Sequence, residues 1–208
     1  MNTSRTQFNE TWLTEMPEGL GKFEMFDMLK YNINDMIKHN QTIIDLGNNL
    51  KKIELQQSVY YWYGQSNEVL LGAELSKASQ GWIVQLVCKN PKIRGCAPFA
   101  SDLYNAILQD TKSSIRILSD KQLSDEGFEI WKRLFQQGHK ISVYDNEAPG
   151  KTFKTFDTIE ELKQYIQNDN SDFKRYQYVL TENSYLAETR NNFNNRRYRE
   201  LAGLSLVD

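Results

Sequence analysis

Three short segments rich in β-branched and aromatic residues, SVYYWYG, EVLLGAEL and GWIVQLVCK, follow one another between positions 58 and 89. Turn-forming residues separate them, with a Gly-to-Asn stretch at 64–67 and SKASQG at 76–81. Strands joined by such short turns pair as neighbours that run in opposite directions. The chain therefore predicts a three-stranded antiparallel meander, and any fold proposed for it must contain that unit.

Apolar residues recur every three or four positions before and after the meander, which predicts helices. The first helical pattern covers residues 23–37. After the meander, the helical segments SDLYNAILQDT and SDEGFEIWKRLFQQG alternate with the strands SSIRILSD and HKISVYD. We expect Ser101 to be the N-cap of the former helix and Gly138 to end the latter. The middle of the chain thus has the order β-β-β-α-β-α-β.

The remaining segments are predicted with weaker patterns. QTIIDLGNNLKKIEL is interpreted as a short helix and a loop, and APGKTFKTF as a loop. TIEELKQYIQND is predicted to be a helix with a capping box from Thr158 to Glu161, and FKRYQYVLTE a last strand. The fold class that follows is α+β in three layers, with a mixed, mainly antiparallel central sheet and helices on both faces.

Composition limits the classes of protein that this chain can belong to. Of 208 residues, 39% are hydrophobic and 25% charged, which fits one sizeable packed domain. The net charge of -2 gives no overall basic field for nucleic acid. No apolar run reaches membrane-spanning length, and the start MNTSRTQFNETW lacks a signal-peptide pattern. The chain has two cysteines and no CxxC or HExxH pattern, so we expect no zinc or iron–sulfur site. We expect a soluble cytoplasmic protein with an arm at 1–22, a domain at 23–182 and a helical tail at 183–208.

The stretch KIRGCAPFASDLYNAI, residues 92–107, combines basic residues with a glycine between a strand and a helix. A helix N-terminus offers unpaired N–H groups and the positive end of the macrodipole, so anions bind there. Gly95 allows close approach of the backbone, and Lys92 and Arg94 add positive charge. From these residues alone, a phosphate-binding loop and a basic surface turn are both open.

At this loop the sequence resembles the GNAT N-acetyltransferase superfamily. The family's pyrophosphate loop starts with Gln or Arg and continues with two residues, Gly, one residue, and Gly or Ala. Here Gly95 and Ala97 match this pattern, while Lys92 stands where Gln or Arg is usual. The order of elements over residues 23–182 is also similar to that of the family. In addition, SDEGFEIWKRLFQQGHKISVYD is similar to the family's fourth helix and the strand after it.

The resemblance implies that the ligand is acetyl-CoA or another acyl-CoA and that the acceptor is an amine of a small molecule or a protein. It implies that the third meander strand splays from its neighbour, so that main-chain groups near Leu86, Val87 and Cys88 pair with the pantetheine arm. It also implies that the loop holds the pyrophosphate through residues Lys92, Arg94, Gly95, Cys96 and Ala97.

The residues for proton transfer are less clearly marked. Relatives place a Tyr on the fourth helix to protonate the leaving thiolate, whereas this chain has Trp131, whose indole N–H is a donor only. We interpret Trp131 as a core residue, packed with Phe128 and Leu134. Tyr104 and Tyr144 are alternative sources of the proton.

Two carboxylates are candidates for the general base that takes the proton of the attacking amine. Glu74 lies in the second meander strand, and Asp120 follows the SSIRILS strand. Cys96 is interpreted as a small loop residue rather than a nucleophile, because no histidine lies near it in sequence. His139 is expected at the surface. A disulfide between Cys88 and Cys96 has no support in the pattern.

Two further functions stay open. The first is a GNAT-like protein that has lost the chemistry and acts as a binding or inhibitory protein, as Trp131 suggests. The second is a nucleic-acid-associated protein that uses the tail segment RNNFNNRRYR, where arginines alternate with aromatics. The apolar end LAGLSLV is predicted to dock on the domain or on a neighbouring subunit, so a homo-oligomer is also open.

Overall fold

In the computed structural model, alternating apolar segments assemble into one nine-stranded sheet with helices packed against it. The structure describes residues 22–65, 68–93, 95–112, 115–120, 125–145, 153–163 and 176–181. The helices are α1 (Lys22–Lys38), α2 (Ala100–Asp110), α3 (Asp125–Gln136) and α4 (Ile159–Lys163), with a 3₁₀ turn at Pro91–Ile93. The strands are β1 (Ile43–Gly47), β2 (Leu50–Glu54), β3 (Ser58–Tyr63), β4 (Leu71–Ala78), β5 (Gly81–Lys89), β6 (Ile117–Leu118), β7 (Lys140–Asp145), β8 (Phe153–Thr155) and β9 (Tyr176–Thr181).

The strand order across the sheet is β1-β2-β3-β4-β5-β6-β9-β7-β8. Neighbouring strands are antiparallel, except that β5 and β6 run parallel. The parallel pair is joined through α2, and β9 returns to lie between β6 and β7. The sheet is therefore mainly antiparallel with one parallel pair at its centre.

Helices cover both faces of the sheet, as the alternation along β3 shows. Val59 and Tyr61 belong to the apolar cluster that contains residues of α2 and α3. Tyr60 and Trp62, which point to the opposite face, belong to the cluster that contains residues of α1. Tyr61 and Trp62 are neighbours in β3 and are both fully buried, but their side chains pack in two different cores on opposite faces of the sheet.

Several sequence predictions are confirmed by these elements. The mixed α+β class with a large, mainly antiparallel sheet is observed, and the meander corresponds to β3, β4 and β5. The first helical pattern corresponds to α1. The Thr158 hydroxyl accepts the Glu161 N–H at 3.2 Å, as its capping role requires. Gly138 adopts φ +85° just after α3 and ends that helix.

Two of the predicted segments were assigned the wrong structure. The segment QTIIDLGNNLKKIEL is the β1–β2 hairpin rather than a helix and a loop, because Gly47, Asn48 and Asn49 take positive φ values of 85°, 52° and 61° and turn the chain back on itself. The segment APGKTFKTF contains the edge strand β8. The proposed arm at 1–22, apart from the first residue of α1, and the tail at 183–208 lie outside the described residues.

Candidate functional site

The parallel pairing of β5 with β6 is short, because β6 has only two residues. Strands β5 and β6 are in register at only two positions, Trp82 with Ile117 and Ile83 with Leu118. The Trp82 N–H donates to the Arg116 carbonyl at 2.8 Å at the start of this pairing. Strand β5 then continues through residues 84–89, about 20 Å of chain, without a strand partner on that side among the described residues. This unpaired edge of β5 beside β6, called the opening below, is the first feature of the site.

A β-bulge in β5 adjusts the direction of the backbone at the opening. The register of β4 with β5 shifts between Leu75, which lies opposite Val84, and Glu74, which lies opposite Leu86. Gln85 is therefore an extra residue on β5. A bulge of this kind shifts the alternation of side chains and backbone groups by one residue and increases the local twist.

The bulge determines which N–H and C=O groups point into the opening. The Trp82 N–H points toward β6, whereas the Asn90 N–H donates to the Leu70 carbonyl on the β4 side at 2.8 Å. Alternation with one extra residue between them directs the backbone groups of Val87 and Lys89 away from β4. Sequence reasoning did not identify Lys89 here, because a bulge has no clear sequence pattern.

The side chains at 86–88 follow from the same shift. Val87 packs with the cluster on the α2 and α3 face, while Leu86 and Cys88 pack with the α1 cluster. Burial raises the pKa of the Cys88 thiol to about 12, so this thiol stays protonated at neutral pH. Of the three residues predicted to line the cofactor, Val87 directs its backbone groups into the opening, whereas Leu86 and Cys88 direct theirs toward β4.

The loop after β5 turns through Gly95, which adopts φ +83°. A side chain would be strained at this φ, although a Cβ would meet no atom within 4 Å. The loop uses two of its own N–H groups: Lys92 donates to the Asn90 side chain at 3.0 Å, and Cys96 donates to the Ile93 carbonyl at 3.1 Å. The predicted loop residue Arg94 lies outside the described residues.

Two other N–H groups of the loop remain available. Within the described ranges, neither Gly95 nor Ala97 makes a hydrogen bond, and both are exposed. The Lys89 ammonium contacts the Cys96 carbonyl and lies 4.9 Å from the centre of the Phe99 ring. The loop thus presents unbonded backbone donors beside a lysine.

Helix α2 begins directly after the loop. Its first helical residue is Ala100, and the Asp102 carboxylate accepts the Phe99 N–H at 2.8 Å. The prediction that Ser101 caps this helix was wrong, because the N-cap is Phe99, two residues earlier. Neither Ala100 nor Ser101 uses its N–H in a hydrogen bond among the described residues.

The two candidate general bases differ in environment. Glu74 lies opposite Tyr60 and Leu86 at the bulge. Burial raises the pKa of its carboxyl, and a hydrogen bond from Tyr60 partly offsets that rise. Asp120 follows β6, and its charge helps to raise the pKa of the nearby Tyr104 hydroxyl. Glu74 thus has the perturbed pKa that general bases often show.

The candidate proton donors are less favourable. Trp131 is 1% exposed and packs edge-to-face on Tyr104 with 5.8 Å between ring centres, which confirms its interpretation as a core residue. Burial is the main cause that raises the pKa of Tyr104, so its hydroxyl is a weaker acid than a free phenol. Tyr144 is also buried, in the cluster with Leu118 and Val179.

The cysteines and His139 complete the sequence-predicted residues. Cys88 is buried and Cys96 exposed, and both are free thiols. His139 is only 7% exposed, so the expectation of a surface position was wrong. The short connection from Gly138 into β7 folds His139 back, so that its N–H donates to the Leu134 carbonyl at 3.1 Å. The Arg-rich segment at 190–199 lies outside the described residues.

No family model, no characterised protein and no solved structure matches this chain. Among the residues that the structure describes, no helix combines the length and apolar character needed to cross a bilayer. Over the same residues, no three His, Cys, Asp or Glu side chains come together in a way that could hold a metal ion.

Proposed function

We propose that this protein is an acyl-CoA-dependent N-acyltransferase of the GNAT type, with acetyl-CoA or another acyl-CoA as donor and an amine as acceptor. The observation that carries the proposal is the edge of β5 at residues 84–89. Among the described residues it has no strand partner, and it leads directly into a loop and a helix N-terminus whose first N–H groups make no hydrogen bond there. The mixed, mainly antiparallel sheet with its one parallel pair, β5 and β6, is also compatible with the proposal.

Each part of the cofactor would meet a matching part of the site. The backbone groups of Val87 and Lys89 would pair with the amides of the pantetheine arm, in the manner of an added strand. The N–H groups of Gly95, Ala97 and Ala100, together with the dipole of α2, would hold the diphosphate. The Lys89 ammonium adds a compensating positive charge beside the loop.

The bound donor supplies an acyl group activated as a thioester. Glu74 would hold the proton that the attacking amine gives up, directly or through a water molecule. Burial raises the pKa of this carboxyl, and a general base is most effective when its pKa is close to the working pH. Because Trp131 occupies the usual Tyr position, we assign no residue to protonation of the thiolate.

Calorimetric titration with acetyl-CoA tests this function. We expect saturable binding at one site per chain, and release of free thiol when a panel of primary amines is added. Absence of acetyl-CoA binding at millimolar concentration would remove both the cofactor role and the reaction.

A second function fits the observation that Trp131 is packed between Tyr104 and Tyr178. A protein that binds acyl-CoA without transferring the acyl group would need no acid at that position. Saturable binding of acetyl-CoA with no thiol release for any amine in the panel would favour this alternative over the transferase.

A further inference from the structure

Four polar side chains form a row on the face of the sheet that α1 covers. Leu75 of β4 packs with the cluster on the α2 and α3 face, so alternation directs its neighbours Glu74 and Ser76 to the α1 face. Tyr60 packs with the α1 cluster and donates a hydrogen bond to Glu74. The Gln85 amide nitrogen donates to the Ser76 hydroxyl at 2.8 Å, which brings Gln85 to the same face.

Gln85 contributes a buried carbonyl oxygen without a partner to this row. Its Oε1 atom is buried and makes no hydrogen bond among the described residues. Because Ser76 holds the amide nitrogen, the amide is fixed and its oxygen is turned away from that hydroxyl. A buried polar atom without a partner costs free energy, so native proteins keep few of them. A ligand that donates an N–H to this oxygen would remove the cost.

Gln85 and Glu74 are neighbours at the end of the opening where the acyl group would lie. Gln85 is the extra residue of the bulge, and Glu74 lies opposite the next residue, Leu86. The two side chains therefore start within about 8 Å of each other on one face of the sheet. The pairing of β5 with β6 ends at Ile83, two residues before Gln85. With the diphosphate beyond the other end of residues 84–89, the thioester would lie beside Gln85.

A primary amine has the two donors that this pair of oxygen-bearing side chains can accept. Its nitrogen carries one lone pair and two N–H bonds. In acyl transfer the lone pair attacks the thioester carbon, the C–N bond forms, the C–S bond breaks, and the sulfur leaves as a thiolate. The proton of one N–H passes to Glu74, whereas the other N–H stays in the product amide. This second N–H needs an acceptor of its own.

We propose that the Gln85 carbonyl oxygen accepts the second N–H, so that Gln85 and Glu74 together hold the acceptor amine on the α1 side of the opening. The inference rests on the proposed function, which takes the thioester to lie beside them. A secondary amine has a single N–H, which goes to Glu74, so the Gln85 oxygen stays buried and unpaired. Gln85 therefore makes the protein selective for primary over secondary amines. Both side chains are only partly buried, so an amine can reach them from solvent.

Matched pairs of amines test this inference. Each primary amine of the panel is compared with its N-methyl derivative by release of free thiol from acetyl-CoA. We expect the wild type to prefer the primary amine about 10-fold in kcat/KM, the size of one lost hydrogen bond. Gln85→Met, which keeps an unbranched side chain of similar length without the oxygen, should slow the primary amine alone and remove the preference. Gln56→Met, at an exposed glutamine in the turn between β2 and β3, is the matched control and should behave as the wild type.

The preference is a ratio measured on one protein sample, so a partly unfolded variant lowers both rates and leaves the ratio unchanged. A preference that is the same in Gln85→Met as in the wild type would overturn the inference, as would a wild type without any preference.

A binding experiment separates this inference from the proposed function. The side-chain amide signal of Gln85 in a nitrogen–proton NMR spectrum, identified by its loss in Gln85→Met, is followed as butylammonium chloride is added to the protein. Tetramethylammonium, which has the same charge and no N–H donor, is the control ligand. If acetyl-CoA does not bind or no amine reacts, the proposed function fails, and this titration decides about Gln85 by itself. A saturable shift with butylammonium alone would keep the amine site without the transferase, and the absence of such a shift would remove the site as well.

Discussion

Gly95 offers a test in which shape and charge can be separated. Its φ of +83° lies in the left-handed region, and a Cβ there would meet no atom within 4 Å. Gly95→Ala should therefore fold, with a loss of about 1–2 kcal/mol in stability from the strained backbone. Because the free and bound loops share this strain, the affinity for acetyl-CoA should change little.

Gly95→Glu and Gly95→Gln then isolate the charge. A carboxylate about 4 Å from one phosphate charge costs about 1 kcal/mol in water and several times more at a protein surface. Since Gly95 is exposed, the lower value applies, and a diphosphate with two charges gives about 2 kcal/mol. Gly95→Glu should therefore bind acetyl-CoA about 30-fold more weakly than Gly95→Gln, which has nearly the same shape.

The assay is calorimetric titration of acetyl-CoA at low and high salt. The difference between Gly95→Glu and Gly95→Gln should shrink at 1 M salt, because exposed charges are screened. Equal affinities of the two variants at low salt would refute the assignment of the diphosphate to this loop. A loss as large in Gly95→Ala as in Gly95→Glu would point instead to a collapsed loop.

Two further variants test other parts of the account. Burial raises the pKa of Glu74 above its ordinary value of 4.5, so its ionised form destabilises the fold once the pH rises through the raised pKa. In urea unfolding, Glu74→Gln should thus be at least as stable as the wild type at pH 7.5, and this difference should be gone at pH 4. The rate of amine acylation should fall about 10²- to 10⁴-fold. Lower stability of the variant at pH 7.5, or unchanged activity, would argue against the buried base. The Tyr61 hydroxyl and the Lys52 ammonium both contact one oxygen of Asp110 at 2.6 Å. Asp110→Ala should cost about 1–3 kcal/mol in thermal unfolding, and Tyr61→Phe in that background should recover part of it, whereas a loss below 0.5 kcal/mol would mean that the cluster is not stabilising.

The order of the strands and helices after residue 58 could be predicted because each segment has a clear period and clear turn residues. The β1–β2 hairpin was missed because its turn depends on three consecutive residues with positive φ, Gly47, Asn48 and Asn49, and asparagine also occurs at helix ends. The burial of His139 was missed because a tight turn after a helix, rather than a periodic pattern, sets its direction.

The candidate site was only partly accessible to sequence reasoning. The loop at Gly95 and Ala97 and the carboxylate of Glu74 could be selected from residue types and their neighbours. The bulge at Gln85, which directs Val87 and Lys89 into the opening, depends on the pairing of β4 with β5.

The most direct test of the central claim is a crystal structure of the protein with acetyl-CoA. We expect the pantetheine arm to lie along residues 84–89 of β5, paired with the backbone of Val87 and Lys89, and the diphosphate to lie at Gly95, Ala97 and the first turn of α2. A complex in which the cofactor lies elsewhere, or in which side chains close the opening between β5 and β6 and exclude it, would contradict the account.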